Sequence, residues 1–298
     1  MSPRTLSGVI AAIATPIQEN GAPDLERATK LARFLLDNGC DGLNVLGTTG
    51  EATSFSAAER MAVMNAYKEK GLPLGRLMVG TGAAAVRDAV ALTKHAAGLG
   101  FGGALVLPPF YYKGVPDDGL AAYIDILVKE TADNPVPLYL YHYPAMSGLP
   151  WHVALIERLL KLHPSRIVGL KDSSGDMAYA RSAAAVKPGF AVFPSTEAAL
   201  LDAKRGDFAG CISATANLNA DLCQTAWSNG DAAALEAAVA IRNLFTGKPL
   251  VSGVKAVLAH IHHDPAIARM KPPLAPLSAA DRVAVTGGYD SVRARRVA

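Results

Sequence analysis

Val153-Ala-Leu-Ile-Glu-Arg-Leu-Leu-Lys-Leu162, followed by Arg166-Ile-Val-Gly-Leu-Lys171, decides how this chain folds. The first segment sets apolar residues three to four apart, the period of an amphipathic helix, and the second is an apolar run of strand length. The same alternation extends in both directions. Strand-like runs precede it at 8–14, 41–46, 76–80, 103–107 and 136–141, and follow it at 190–195 and Gly210–Ser213. Between them lie helical periods such as 25–36, 57–68, 86–97 and 120–128. Alternating short strands and longer helices imply βαβ units and a parallel sheet.

Eight such units in roughly 230 residues fit a closed α/β barrel better than an open doubly wound sheet, and no Gly-x-Gly-x-x-Gly follows the first strand. The fold predicted is a (β/α)8 TIM barrel with a C-terminal helical extension. The division expected is a catalytic barrel over 1–228 and a helical appendix over 229–298. The appendix carries helical periods at 217–227, 232–245 and 254–261, a Pro-rich stretch at 271–276 and a last short helix. No flexible linker or low-complexity tract interrupts the chain.

Composition narrows the class further. Half of the 298 residues are hydrophobic and 18% are charged, the balance of a packed globular protein. A net charge of +3, spread along the chain, does not suggest nucleic-acid binding. Arg293, Arg295 and Arg296 are read as a solvated tail. Cys40, Cys211 and Cys223 lack the paired spacing of a zinc site or disulfide framework and read as buried thiols. No basic leader with an apolar run and no membrane-spanning stretch is present, so a cytoplasmic location is the expectation.

In such a barrel the active site lies where the strands end, so the residues closing each strand carry the functional information. The second ends in Gly47-Thr48-Thr49-Gly50-Glu51, where hydroxyls sit beside exposed N–H groups able to hold a carboxylate; a plain Gly-rich turn reads the same way. The fourth ends in Pro108-Pro-Phe-Tyr111-Tyr112 and the fifth in Tyr139-Leu-Tyr141-His142-Tyr143-Pro144. A tyrosine there can relay protons or simply fill the core. The sixth delivers Lys171. Burial lowers an amine's pKa and frees its lone pair to attack a carbonyl, unless the side chain extends out to solvent. Strand alternation turns Asp172 away from Lys171, toward helix capping or packing. Phe193-Pro-Ser195-Thr196-Glu197 and Cys211-Ile212-Ser213 are candidates to line a second-substrate pocket. His260, His262 and His263 lack a carboxylate at zinc-ligand spacing, and no metal is predicted.

Taken in order, Ala14-Thr-Pro16, Gly47-Thr-Thr-Gly-Glu51, Gly80-Thr-Gly82, Pro109-Phe-Tyr-Tyr112, Tyr141-His-Tyr-Pro144, Gly169-Leu-Lys171 and Ile212-Ser-Ala-Thr-Ala-Asn217 make the chain resemble the dihydrodipicolinate synthase and N-acetylneuraminate lyase family over nearly its whole length. The resemblance implies a lyase or aldolase that binds pyruvate as an imine on Lys171, needs no other cofactor, and assembles as a homotetramer, a dimer of dimers. It implies that Gly47, Thr48 and Thr49 surround the pyruvate carboxylate and that Tyr141 moves protons at the imine. The same resemblance implies that Thr48 and Tyr111 complete a hydroxyl relay, with Tyr111 reaching in from a neighbouring subunit.

Departures from the family pattern concern the second substrate. Met146 stands where dihydrodipicolinate synthases carry the arginine that grips aspartate semialdehyde, and His142 replaces an asparagine. With Ser195 and Ile212 these are the substrate-binding candidates. Loss of a charge-assisted partner argues for condensation of pyruvate with another aldehyde, or cleavage of a 4-hydroxy-2-oxo acid. The alternative is an authentic dihydrodipicolinate synthase in which Arg205 or Lys113 replaces the missing cation. A non-catalytic keto-acid-binding homologue is the third reading, against which stand Lys171, Tyr141, Tyr111 and Thr48. Ala84 replaces an asparagine of the lysine-binding loop, so feedback by lysine is not expected.

Overall fold

The computed structural model describes residues 5–295. Eight parallel strands form its centre: β1 Gly8–Ala12, β2 Gly42–Val45, β3 Leu77–Gly80, β4 Gly103–Val106, β5 Leu138–His142, β6 Ile167–Asp172, β7 Ala191–Pro194 and β8 Gly210–Ser213. From β1 to β7 each pairs with the next in chain order, and β8 pairs with β1. The β7–β8 seam is spanned by a 2.9 Å bond from the N–H of Ala209 to the carbonyl of Val192, leaving a nearly closed (β/α)8 barrel.

Around it run α1 Leu25–Asp37, α2 Ala57–Glu69, α3 Val86–Leu99, α4 Asp117–Glu130, α5 Pro144–Ser147, α6 Val153–Leu162, α7 Met177–Ala184 and α8 Leu200–Lys204. Beyond β8 come α9 Ala216–Asn229, α10 Ala232–Asn243, α11 Leu250–Ile261 and α12 Ala279–Ala294. The strands match the sequence reading to within two residues at every end. Several helices do not. α4 begins three residues early, because Pro116 precedes its first turn and Asp117 and Asp118 favour the positive end of the helix dipole. α11 starts at Leu250, one turn before its clear apolar period, and the last helix has 16 residues rather than being short. Asp176, not Asp172, caps α7, accepting from the N–H groups of Ala178 and Tyr179.

Alternation along the strands sorts the side chains. Val9, Ala11, Leu43, Val45, Leu138 and Leu140 point outward into the layer beneath the helices. Ile10, Ala12, Met78, Leu105, Tyr139, Tyr141, Phe193 and Ile212 point into the barrel. Tyr139 fills the lumen. A Cβ at Gly103 would lie 2.6 Å from its ring, and one at Gly169 would lie 2.7 Å from the ring and 2.3 Å from the Ala191 carbonyl. Glycine is therefore required at both positions. The Tyr139 hydroxyl accepts from the N–H of Leu6, below β1. Ala238, Ile241, Val254, Val257, Leu258 and Val285 of the C-terminal helices pack in the same cluster as Val9 and Ala11.

Two features tie the C-terminal helices down through charge. Lys255 of α11 and Glu51 form an ion pair with no exposed side-chain surface on either partner. Lys255 also donates to the carbonyl of Thr15 at 3.1 Å, and Glu51 accepts from the N–H of Lys271 at 2.8 Å. A buried pair persists only when its remaining hydrogen-bonding capacity is met in this way. The second feature corrects the expectation of a solvated tail. Arg293 grips Asp221 with two nitrogens at 2.7 and 2.9 Å and donates to the Leu218 carbonyl at 2.8 Å, fastening α12 to α9. Arg295 is exposed, and Arg296 lies outside the described residues.

Cys40, Cys211 and Cys223 are unpaired and buried, as read from their spacing, and burial pushes all three thiols up. Among the described residues no helix is long and apolar enough to cross a membrane, and no cluster of three or more His, Cys, Asp or Glu side chains could hold a metal ion.

Candidate active site

Parallel pairing sets Tyr141 of β5 beside Lys171 of β6, and both side chains turn inward. Lys171 is 3% exposed. Its Nζ lies 4.4 Å from the centre of the Tyr141 ring and donates to Oδ1 of Asn44 at 3.4 Å. No carboxylate among the described residues pairs with it, so nothing offsets the loss of hydration, and burial draws the ammonium pKa down from 10.5 to about 7. At neutral pH a large fraction of this amine carries a free lone pair.

Tyr141 is 4% exposed, and its hydroxyl lies 3.1 Å from Oγ1 of Thr48. Burial raises its phenol, while hydrogen bonding from Thr48 and Ser173 draws it back. Trp151 fixes the strand behind it, donating Nε1–H to the Tyr141 carbonyl at 3.2 Å. The Gly47–Glu51 loop carries Thr48, and two non-glycine residues flanking it adopt positive φ, Leu46 at 53° and Glu51 at 55°. Such geometry persists where surroundings enforce it. Here the buried Glu51–Lys255 pair holds the loop from below. Gly47 is needed for space, since a Cβ there would lie 2.7 Å from Asn44 Oδ1.

A small cleft opens beside these groups, lined by Gly47, Thr48, Arg60, Gly82, Leu107 and Tyr141 among others. Arg60 of α2 is buried, and no carboxylate among the described residues pairs with it. It donates to the carbonyls of Gly80 at 2.7 Å and Gly82 at 3.2 Å, and burial pulls it down to about 10.

The remaining candidates scatter. Ile212 lies in the lumen with Tyr141 and Phe193, and Thr49 is buried in the loop. Ser195 is half-buried at the end of β7, its N–H donating to the Asp172 carbonyl. Met146, on α5, is 64% exposed, and Tyr111 is 74% exposed, stacked edge-on against Tyr112. Within one chain Tyr111 has no hydrogen bond to Thr48 or Tyr141 among the described residues. His142 is not brought to the amine. The alternation that turns Tyr141 inward turns His142 outward, where it stacks on Tyr179 at 4.0 Å and accepts from the N–H of Trp151. Burial lowers it to about 4, so it is neutral.

Asp172 points away from Lys171 as alternation requires, and closes a turn by accepting from the N–H of Ser174. Sequence reasoning missed Asn44, the amine's nearest side-chain partner. Its signal was a polar residue inside the apolar run Gly42-Leu-Asn-Val45. Sequence reasoning named Glu197 and Ser213 as candidate pocket lining, but not that they bond to one another in a buried network at the ends of β7 and β8. There Glu197 accepts from Ser213 Oγ at 2.9 Å and from Thr215 Oγ1, with Arg242 of α10 alongside.

A parallel barrel with an unpaired, desolvated lysine at the end of its sixth strand belongs to the class of Schiff-base lyases. Comparison with known proteins gives the particular family. Residues 5–287 match the model of the dihydrodipicolinate synthetase family. The chain is 33% identical over 293 residues to an uncharacterized DapA-like lyase of Chloroflexus aurantiacus, covering 96% of this chain and 97% of that one. Dihydrodipicolinate synthase from Agrobacterium tumefaciens superposes with a TM-score of 0.90 at 27% identity, over 96% of this chain and 99% of that one. A variant of the 2-keto-3-deoxygluconate aldolase of Sulfolobus solfataricus, at 19% identity and a TM-score of 0.87 over 97% of each chain, shares the fold. The chain belongs to the dihydrodipicolinate synthetase family and is a pyruvate-dependent lyase of the Schiff-base kind.

Proposed function

We propose that Lys171 is the residue that carries the imine, and that the enzyme condenses pyruvate with an aldehyde or cleaves a 4-hydroxy-2-oxo acid. The neutral Nζ attacks C2 of pyruvate, and the carbonyl oxygen leaves as water, taking a proton from the Tyr141 phenol, to give an iminium. The Tyr141 phenolate so formed takes a proton from C3, and the electron pair flows into the iminium to form an enamine. C3 of the enamine then attacks the aldehyde carbon, whose oxygen takes that proton from Tyr141. Water finally hydrolyses the imine, releasing product and restoring the amine. Gly47, Thr48 and Thr49 hold the pyruvate carboxylate, while Ser195, Ile212 and Met146 border the second-substrate side.

One observation carries this reading: an amine lowered to about 7 by burial, 4.4 Å from the ring of a tyrosine whose hydroxyl meets that of Thr48. No group beyond the lysine is required as electron sink. The exposed Tyr111–Tyr112 pair supports a homotetramer, a dimer of dimers, in which Tyr111 completes a neighbour's relay. A cytoplasmic location is part of the same proposal. The second reading is dihydrodipicolinate synthase itself, using aspartate semialdehyde, and the cation at Arg242 beside the mouth favours keeping it.

The test is reduction with borohydride in the presence of pyruvate. A mass increase located on Lys171 and absent from Lys171→Ala is expected; labelling elsewhere, or none, would overturn the assignment. Pyruvate consumption with aspartate semialdehyde, beside sugar-derived and simple aldehydes, then separates the two substrate readings.

A further inference from the structure

Arg242, in the last turn of α10, is held loosely. A single nitrogen, Nη1, is shared among Glu197 Oε2 at 3.3 Å, Ser213 Oγ at 3.3 Å and Thr215 Oγ1 at 3.5 Å. A committed arginine–carboxylate pair is shorter, about 2.7–2.9 Å, and usually two-pronged. Glu197 has other support, since its Oε1 already takes the hydroxyls of Ser213 and Thr215. Nε and Nη2 of Arg242 make no hydrogen bond among the described residues, and 30% of the side chain is exposed. A planar guanidinium with an uncommitted edge matches carboxylate or phosphate oxygens.

Its position gives that edge a use. Ser213 ends β8 and Glu197 follows β7, which places Arg242 at the end of the barrel where Lys171 lies. Tyr143, raised by burial and by Tyr141, is drawn back by the charge on Arg242. The Tyr143 ring lies 5.9 Å from that of Tyr141, and the Tyr141 ring is 4.4 Å from Nζ of Lys171. Tyr141 and Tyr143 thus extend from the amine toward the side on which the charge of Arg242 acts. The other cations considered for this task are engaged: Lys113 donates to the carbonyls of Phe110 and Ser147, and Arg205, just beyond the C-terminal end of α8, pairs with Asp202.

We propose that Arg242 selects the second substrate, binding a carboxylate or phosphate on the aldehyde at the end remote from the reacting carbon. The proposal rests on the imine reading above, and the experiment separates the two. Pyruvate consumption by the enzyme is measured with aldehydes paired so that one member carries an anionic group and the other does not. 4-Oxobutanoate is set against 4-oxopentanal for a carboxylate, and glyceraldehyde 3-phosphate against glyceraldehyde for a phosphate.

The wild type is expected to prefer the anionic member of at least one pair, and which pair identifies the anion. Arg242→Gln lowers that preference about 30-fold, through KM, and Arg242→Lys restores part of it. A purely structural role would depress both members of a pair alike, which would overturn the proposal. So would a wild-type preference for neutral aldehydes, or a loss of preference in Lys113→Gln instead. Trapping of pyruvate on Lys171 without turnover of any aldehyde would overturn it and leave the imine reading standing. No trapping would overturn both.

Discussion

Replacing Asn44 by aspartate tests whether burial alone tunes the amine. In the wild type, Nζ of Lys171 faces a neutral amide oxygen at 3.4 Å, and its pKa is about 7. At pH 7 roughly half of such amines are unprotonated, against about one in 3,000 for an ordinary lysine. Asn44→Asp changes little in shape but sets a carboxylate where the amide oxygen was. At that distance an effective dielectric of about 20 gives roughly 5 kcal/mol of attraction, and observed shifts from an adjacent opposite charge are about one to three units. The ammonium form gains, so the apparent pKa rises to between about 8 and 10. Imine formation at pH 7 should slow by about 5- to 500-fold and recover at high pH. The assay is the initial rate of pyruvate trapping by cyanoborohydride, followed by intact mass from about pH 6 to about pH 10. An unchanged inflection near 7 in Asn44→Asp, or a deficit that persists at high pH, would refute the argument.

Four further outcomes are expected. Tyr141→Phe retains pyruvate trapping while steady-state turnover falls about 100-fold, the usual contribution of a proton-transferring group. Lys171→Met melts at a higher temperature than wild type, most clearly below pH 7. Because the folded amine titrates near 7 and the unfolded one at 10.5, the unfolded chain binds more protons between those values, and wild-type stability rises with pH across that window while the variant's stays flat. Glu51→Gln strands the buried Lys255 ammonium and destabilises the fold by about 3–5 kcal/mol in urea titrations; a loss under 1 kcal/mol would show that water reaches the pair. Titration with L-lysine leaves activity unchanged, given Ala84, and clear inhibition would defeat that reading.

The strands were legible because each is a short run buried on both faces, so composition and length sufficed. Lys171 stood out for the same reason, a charge ending the apolar run Ile167-Val-Gly-Leu170. The inward turn of Tyr141 and the outward turn of Asp172 followed from alternation, and the same rule applied to His142 would have removed it from the pocket. What stayed hidden depends on contacts far apart in sequence. Asn44 meets Lys171 across 127 residues, and Glu51 meets Lys255 across 204. Helices α7 and α8 are short and carry few large apolar side chains, so their period was too weak to read. Arg293 and Arg242 lie in helical segments whose charges look like solvated surface until a partner is placed opposite them.

Tyr139, wedged between Gly103 and Gly169 and anchored to Leu6, stoppers the barrel two residues below Tyr141. Access to the lysine is therefore from the end of the barrel where the strands finish. Whatever reaches Nζ first occupies the floor, and whatever comes second lies above it as a lid. Reactants must queue: in condensation pyruvate enters first, in cleavage it leaves last, and an aldehyde bound ahead of it bars the way. Kinetically this appears as an ordered sequence, with excess aldehyde acting as a competitive inhibitor against pyruvate.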